Sequence, residues 1–160
     1  MTRRPPSSSS SPSLPSSHIQ LGSLAESRAA LYLERLGYQI LDRNYRTKHG
    51  EVDLVALHDG VLCFVEVRCR SSRSHGLPEE TISRAKRRRI VRAAQHYLVA
   101  RHQEQAECRF DVVAVELLEK GAAASPRRPD DPRAARTEDC AADGCFGMRL
   151  LRDAFRLNDC

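Results

Sequence analysis

Residues 50–72 read GEVDLVALHDGVLCFVEVRCRSS, and this stretch decides the fold. On either side of Asp59-Gly60, a strong two-residue turn signal, β-branched and apolar residues recur with a period of two. The spacing predicts antiparallel strands over 51–57 and 61–69. Side chains alternate along a strand, so Glu51, Asp53, Val55 and Leu57 share one face. Leu62, Phe64, Glu66, Arg68 and Arg70 share a face of the next strand. A two-residue turn pairs His58 with Val61. That register carries Asp53 opposite Glu66, and Glu51 opposite Arg68.

Side chains directly opposite have Cβ atoms about 4.5–5.5 Å apart, and like charges there destabilise a sheet. The Asp53–Glu66 pair therefore calls for something between its carboxylates. A shared proton would serve. A divalent cation would serve too, since one or two carboxylates plus water suit Mg²⁺ or Mn²⁺. The plain alternative is a solvated polar face, which the neighbouring Val55 and Phe64 argue against.

Outward from the hairpin, a helical period begins at Ile19 and places Leu21, Leu24, Ala25, Ala29, Tyr32, Leu33 and Leu36 on one broad face. Gly37 then stands where a helix C-terminal cap would, with Tyr38 as its hydrophobic partner. Residues 38–46 read as a strand. Downstream, Pro78 suits a first helical turn and Glu79-Glu80 its positive end. A helix is expected over 78–101, with Ile82, Ala85, Ile90, Ala93, Ala94, Tyr97 and Leu98 inward. CRFDVVAVELL (108–118) and CFGMRLL (145–151) read as further strands. The order α-β-β-β-α-β-β implies an α/β fold, a mixed sheet covered by helices. Residues 1–18 are Ser/Pro-rich and expected to be disordered. Residues 19–157 form one domain, with 119–145 an Ala/Pro/Arg/Asp-rich mobile loop.

No apolar run approaches the length that crosses a bilayer, and the N-terminus lacks the apolar segment of a secretory signal, so the cytoplasm is expected and no membrane partner. The six cysteines contain no C-x-x-C pair and read as incidental or structural thiols. Lysine and arginine number 26 against 21 acids, a formal charge of +5. The excess concentrates in RAKRRRIVR (Arg84–Arg92), six cations without an acid. Such a stripe is either a solvated helix face or a grip on a polyanion. Only 5% of residues are aromatic, too few for a base-stacking platform. Lys86 lies between Ile82 and Ile90 at four-residue spacing, on the helix's apolar stripe. It either snorkels to the edge or aims at the acids.

Taken together, the hairpin, the lysine-bearing helix and CRFDVVAV…RDAF resemble the bacterial YraN family. That family in turn resembles the PD-(D/E)XK, restriction-endonuclease-like superfamily, which includes archaeal Holliday junction resolvases. The resemblance covers residues 19–118 and 146–157. It implies a restriction-endonuclease-like sheet and Mg²⁺- or Mn²⁺-dependent phosphodiester hydrolysis on structured DNA, with RNA as another candidate. Asp53 and Glu66 take the positions of the metal-holding acids, and Glu26 that of a helix-borne third acid. Arg68 stands where the nuclease motif has lysine, and Lys86 matches a lysine of the YraN pattern. Arginine keeps the charge but cannot take a proton from water. A nucleic-acid-binding module of the same fold, impaired in cutting, is therefore the alternative. Arg70, Arg73, Arg84, Arg87, Arg88 and Arg89 would grip the backbone. Resolvase relatives are symmetric dimers, which puts a homodimer among the expectations.

Overall fold

The computed structural model describes residues 18–71, 82–118, 134–141 and 144–156. In chain order these form α1 (His18–Arg35), β1 (Gln39–Thr47), β2 (Gly50–His58), β3 (Val61–Ser71), α2 (Arg84–Ala100), β4 (Cys108–Leu118), β5 (Ala134–Ala141) and β6 (Gly144–Phe155). The strands make one sheet in the order β1-β2-β3-β4-β6-β5. Among the described strands, only β3 and β4 run parallel, joined through α2; every other neighbouring pair is antiparallel. The mixed α/β sheet flanked by helices is the expected architecture, with one strand more than expected.

The central hairpin forms in the register its turn dictates. Asp59 and Gly60 both adopt positive φ (51° and 79°), as a type I′ turn requires. Pairing then runs from His58↔Val61 to Leu54↔Val65. α1 ends as its sequence demands. The Tyr38 N–H bonds Leu33 O (3.0 Å) and the Gly37 N–H bonds Glu34 O (3.0 Å), with Gly37 at φ 87°. These are the two hydrogen bonds of a Schellman cap.

α2 begins later than expected. Ser83 is its N-cap, and the Ser83 hydroxyl accepts the Lys86 N–H at 3.3 Å. A serine oxygen satisfies a first-turn donor that would otherwise be orphaned, so the helix starts there. Ala85 consequently sits in the first turn and is exposed rather than inward, whereas Ile90, Ala93, Ala94 and Tyr97 are buried as expected. Pro78, Glu79 and Glu80 lie outside the described residues.

The segment expected to be a loop is strand in part. Residues 134–141 form β5, an edge strand paired to β6 from Ala134↔Leu151 to Ala141↔Gly144. Its sequence, AARTEDCA, has no apolar alternation because an edge strand is held by backbone hydrogen bonds to one neighbour. Hydrophobic periodicity cannot detect it. β6 likewise runs on to Phe155, through a register shift against β4 between Phe110 and Val112. Residues 1–17 and 119–133, the bulk of the expected tail and loop, lie outside the described residues.

The sheet has a core on each face. Ala29, Tyr32 and Leu33 of α1 pack with Leu54, Ala56, Cys63, Val65, Val113 and Leu150. Ile90, Ala94 and Tyr97 of α2 pack with Val55, Leu62, Phe64, Phe110 and Val112. Alternation sends Asp53 and Glu66, which share parity with Val55 and Phe64, to the α2 side. Gly50 fixes how closely α2 approaches: a Cβ there would collide with the Arg89 carbonyl. Among the described residues, no helix is long and apolar enough to cross a membrane.

Candidate active site

The β2–β3 ladder stops at Leu54↔Val65, one step before the two acids would pair. There the Asp53 carboxylate takes over from the strand, accepting the Val67 N–H at 2.8 Å. Alternation slips at the same point, since Val52 packs with the α2-side core although Leu54 faces α1. The strands part where the acids sit, and both carboxylates remain on the α2 side. Burial raises the Asp53 carboxyl above its usual range, against the Val67 N–H and Lys86, which lower it.

Glu66 is the unusual member of the pair. Only 2% of it is exposed, and its Oε2 has no hydrogen-bond partner among the described residues. Burial, and next the neighbouring Asp53 carboxylate, push its carboxyl up to about 8. Lys86 Nζ reaches from α2 to within 3.3 Å of Oε2. That separation is a close ion pair whose angle falls short of a well-formed hydrogen bond, so Lys86 supplies mainly charge to Oε2. Lys86 therefore aims at the acids, the second of its two sequence readings. Its ammonium also lies 3.6 Å from Glu51 Oε1. Arg68 Nη1 stands 3.7 Å from Glu66 Oε1, with the side chain 37% exposed.

A second buried carboxylate provides the contrast. Asp111 in β4 is fully buried. It accepts hydrogen bonds from Tyr38 Oη (3.1 Å), Arg109 Nε (3.1 Å) and the Asp153 N–H (2.9 Å). Arg109 also donates to Tyr38 Oη (3.0 Å). That network ties the end of α1 to β4 and β6, and every part of it is matched. A buried acid with all its bonds made serves the fold. One with a poorly matched oxygen and a raised pKa makes a candidate functional site.

Other sequence-derived residues are placed differently. Glu51 pairs with Arg46 (3.6 Å) and Lys86 rather than with Arg68, because the ladder that would have aligned it ends at Leu54. Glu26 does not join the acid pair. Its Oε2 accepts from Asn44 Nδ2 at 3.0 Å, and among the described residues no three of His, Cys, Asp and Glu gather as metal ligands. Asn44 lies in β1 between the Arg43↔Leu54 and Tyr45↔Val52 pairs, hence across from Asp53. Its φ of 54° is a conformation that asparagine tolerates better than most residues. Glu26 bonds Asn44 instead of joining the acids, because α1 packs on the opposite face of the sheet.

Arg87 is turned inward: its Nε donates to Ile82 O (3.1 Å) and its guanidinium lies over the Phe155 ring (5.6 Å). Arg84, Arg88 and Arg89 are exposed. Arg70 takes its place in β3 across from Glu116, and Arg73 lies outside the described residues.

The model of the uncharacterised protein family UPF0102 matches residues 25–115, the span that carries both acids, Lys86 and Asp111. The chain belongs to that family. Its relatives include a UPF0102 protein of Chlorobium chlorochromatii, 50% identical over 103 residues, 64% of this chain and 79% of the relative. Another, from Syntrophotalea carbinolica, is 52% identical over 97 residues, 61% of this chain and 79% of the relative. A third, from an Anaeromyxobacter species, is 50% identical over 100 residues, 62% of this chain and 75% of the relative. For this UPF0102 member, reading the sequence missed three groups: Asn44, the Lys86 bridge to Glu51, and the Asp111 network. Asp111 carried a signal, an acid at inward parity with Val113 and Val115. Asn44 carried none.

Proposed function

We propose that the protein is a metal-dependent phosphodiesterase acting on nucleic acid, with structured DNA as its substrate. The observation that carries this reading is the buried Asp53–Glu66 pair with its unbonded Oε2. Two buried carboxyl groups whose ionised forms repel each other fit a divalent cation that takes one or two carboxylates in place of a proton and completes its shell with water and phosphate. Asp53 and Glu66 would hold the ion. When bound, Mg²⁺ or Mn²⁺ supplies positive charge against the phosphate and makes water easier to deprotonate.

The chain's own residues do the rest. Asp53 is held in place by the Val67 N–H, so its carboxylate keeps a fixed aim. Lys86 is anchored on the first turn of α2 by the Ser83 cap, and brings a positive charge beside Glu66 where negative charge develops on a bound phosphate. Arg68 is exposed enough to meet a non-bridging phosphate oxygen and planar enough to bond two. Arg68 in place of the superfamily lysine favours the second reading, a module that holds nucleic acid without cutting it. Lys86 answers it, since the ammonium that β3 lacks arrives from the helix.

The test is incubation of purified protein with branched and linear DNA in Mg²⁺, Mn²⁺ or EDTA. We expect metal-dependent cleavage that Lys86→Ala lowers by about 10²–10³-fold, the usual loss for one charge-stabilising group. DNA binding with no cleavage in either metal would establish the binding module instead.

A further inference from the structure

We infer that the β1–β2 turn is a second arm of the polyanion-binding surface, and that α2 and this turn together grip the sugar-phosphate backbone of a duplex. The inference rests on the nucleic-acid reading above and assigns it a surface and a substrate form.

α2 lies along the β1–β2 hairpin and is locked to it at three levels. Lys86 meets Glu51 at 3.6 Å. The Arg89 carbonyl closes against Gly50. Further along, Tyr45 Oη and His96 Nδ1 are 2.7 Å apart. The turn itself is braced, because Thr47 Oγ1 accepts the N–H groups of His49 and Gly50, each at 3.1 Å. The exposed side of this unit carries Lys48 from the turn and Arg84, Arg88, Arg89 and Arg92 from the helix. None of these five side chains has a hydrogen-bond, ion-pair or ring partner among the described residues. Arg46, 72% exposed, shares Glu51 with Lys86.

Five cations on a braced surface, unmatched among the described residues, repel one another, and a polyanion relieves that repulsion. Arg84, Arg88 and Arg92 recur every four residues and span about 12 Å of helix. That is about the width of a B-DNA major groove, whose two rims are phosphates of different strands. A single strand is the poorer fit. Its bases need aromatic faces to stack on, whereas Tyr45 is half-buried with its hydroxyl bonded and Tyr97 is buried. The surface therefore reads backbone and shape, not base identity.

The test measures binding in EDTA, so it does not depend on cleavage. The probes are a labelled 20-base-pair duplex, one of its strands alone, and polyglutamate as an acidic-protein surrogate. They are titrated over a range of salt with wild type, Lys48→Ala, Arg92→Ala and the double variant. Both substituted side chains are at the surface, and melting curves confirm the fold. We expect the duplex to bind tightest, and each substitution to reduce the slope of log affinity against log salt by about 0.9 for each phosphate no longer neutralised. Unchanged affinity and slope for Lys48→Ala would remove the turn from the surface. Tighter binding of the single strand, or of polyglutamate, would overturn the duplex assignment. A protein that cuts DNA yet keeps wild-type binding in the double variant refutes this inference alone. One that binds through both arms and never cuts refutes only the phosphodiesterase reading.

Discussion

Glu66 concentrates the chemistry of the protein in one side chain. Its carboxyl is raised to about 8 by burial and by Asp53, against an ordinary glutamate value near 4.5 in the unfolded chain. Between those values the folded protein binds a proton that the unfolded chain releases. The stability this contributes is complete below about 4.5 and is lost as pH rises through about 8. In EDTA, wild type should therefore unfold more easily at pH 8.5 than at pH 5.5, beyond the change shared by a variant lacking the group. Glu66→Gln, which cannot ionise, should flatten that part of the profile. Denaturant midpoints across the pH range check it, and equal slopes for wild type and variant would mean that Glu66 is ionised throughout.

At the scale of elements, the candidate site depends on how closely a helix lies on a hairpin. Gly50 is required by the Arg89 carbonyl and not by its own backbone angles. Gly50→Ala forces α2 outward and should cost about 1–3 kcal/mol, the usual range for overpacking. It should also draw Lys86 away from Glu66, so cleavage should fall more than stability alone explains. Urea unfolding with parallel rate measurements separates the two effects, and a variant as stable as wild type would refute the close approach. The same elements show what the sequence could and could not convey. The Asp59-Gly60 turn set the register, and through it the proximity of Asp53 and Glu66, because a two-residue turn leaves no freedom in pairing. The Gly37 cap was legible for the same reason, as a local motif with its own hydrogen bonds. The start of α2 was not, because Pro78-Glu79-Glu80 and Ser83 both carry N-terminal signals and periodicity alone does not choose between them. β5 was invisible, its pairing being made by backbone. Glu26 was misjudged because helical periodicity reveals which face of α1 is buried, not which side of the sheet the helix covers. The Glu51–Arg68 pairing failed because alternation assumes a continuous ladder, and the ladder opens at the acids.

Across the whole molecule, the two faces of the sheet divide the labour. The α1 side holds Asp111, its hydrogen bonds complete, and ties α1, β4 and β6 together. The α2 side holds Asp53 and Glu66, with a poorly matched oxygen and with a basic helix and turn beside them. This division makes the metal the decisive question. A ligand that binds only the folded state stabilises it by about 2.7 kcal/mol at a hundred times its Kd. The most direct measurement is thermal unfolding of wild type and Asp53→Asn, each in EDTA and in millimolar Mn²⁺ or Mg²⁺. Asp53→Asn removes a repelling charge together with a ligand. It should melt no lower than wild type in EDTA, and should lose the metal-dependent rise that wild type shows. A wild-type protein whose melting temperature does not move with either ion, or an Asp53→Asn variant that responds as strongly as wild type, would contradict a divalent-cation site at Asp53 and Glu66.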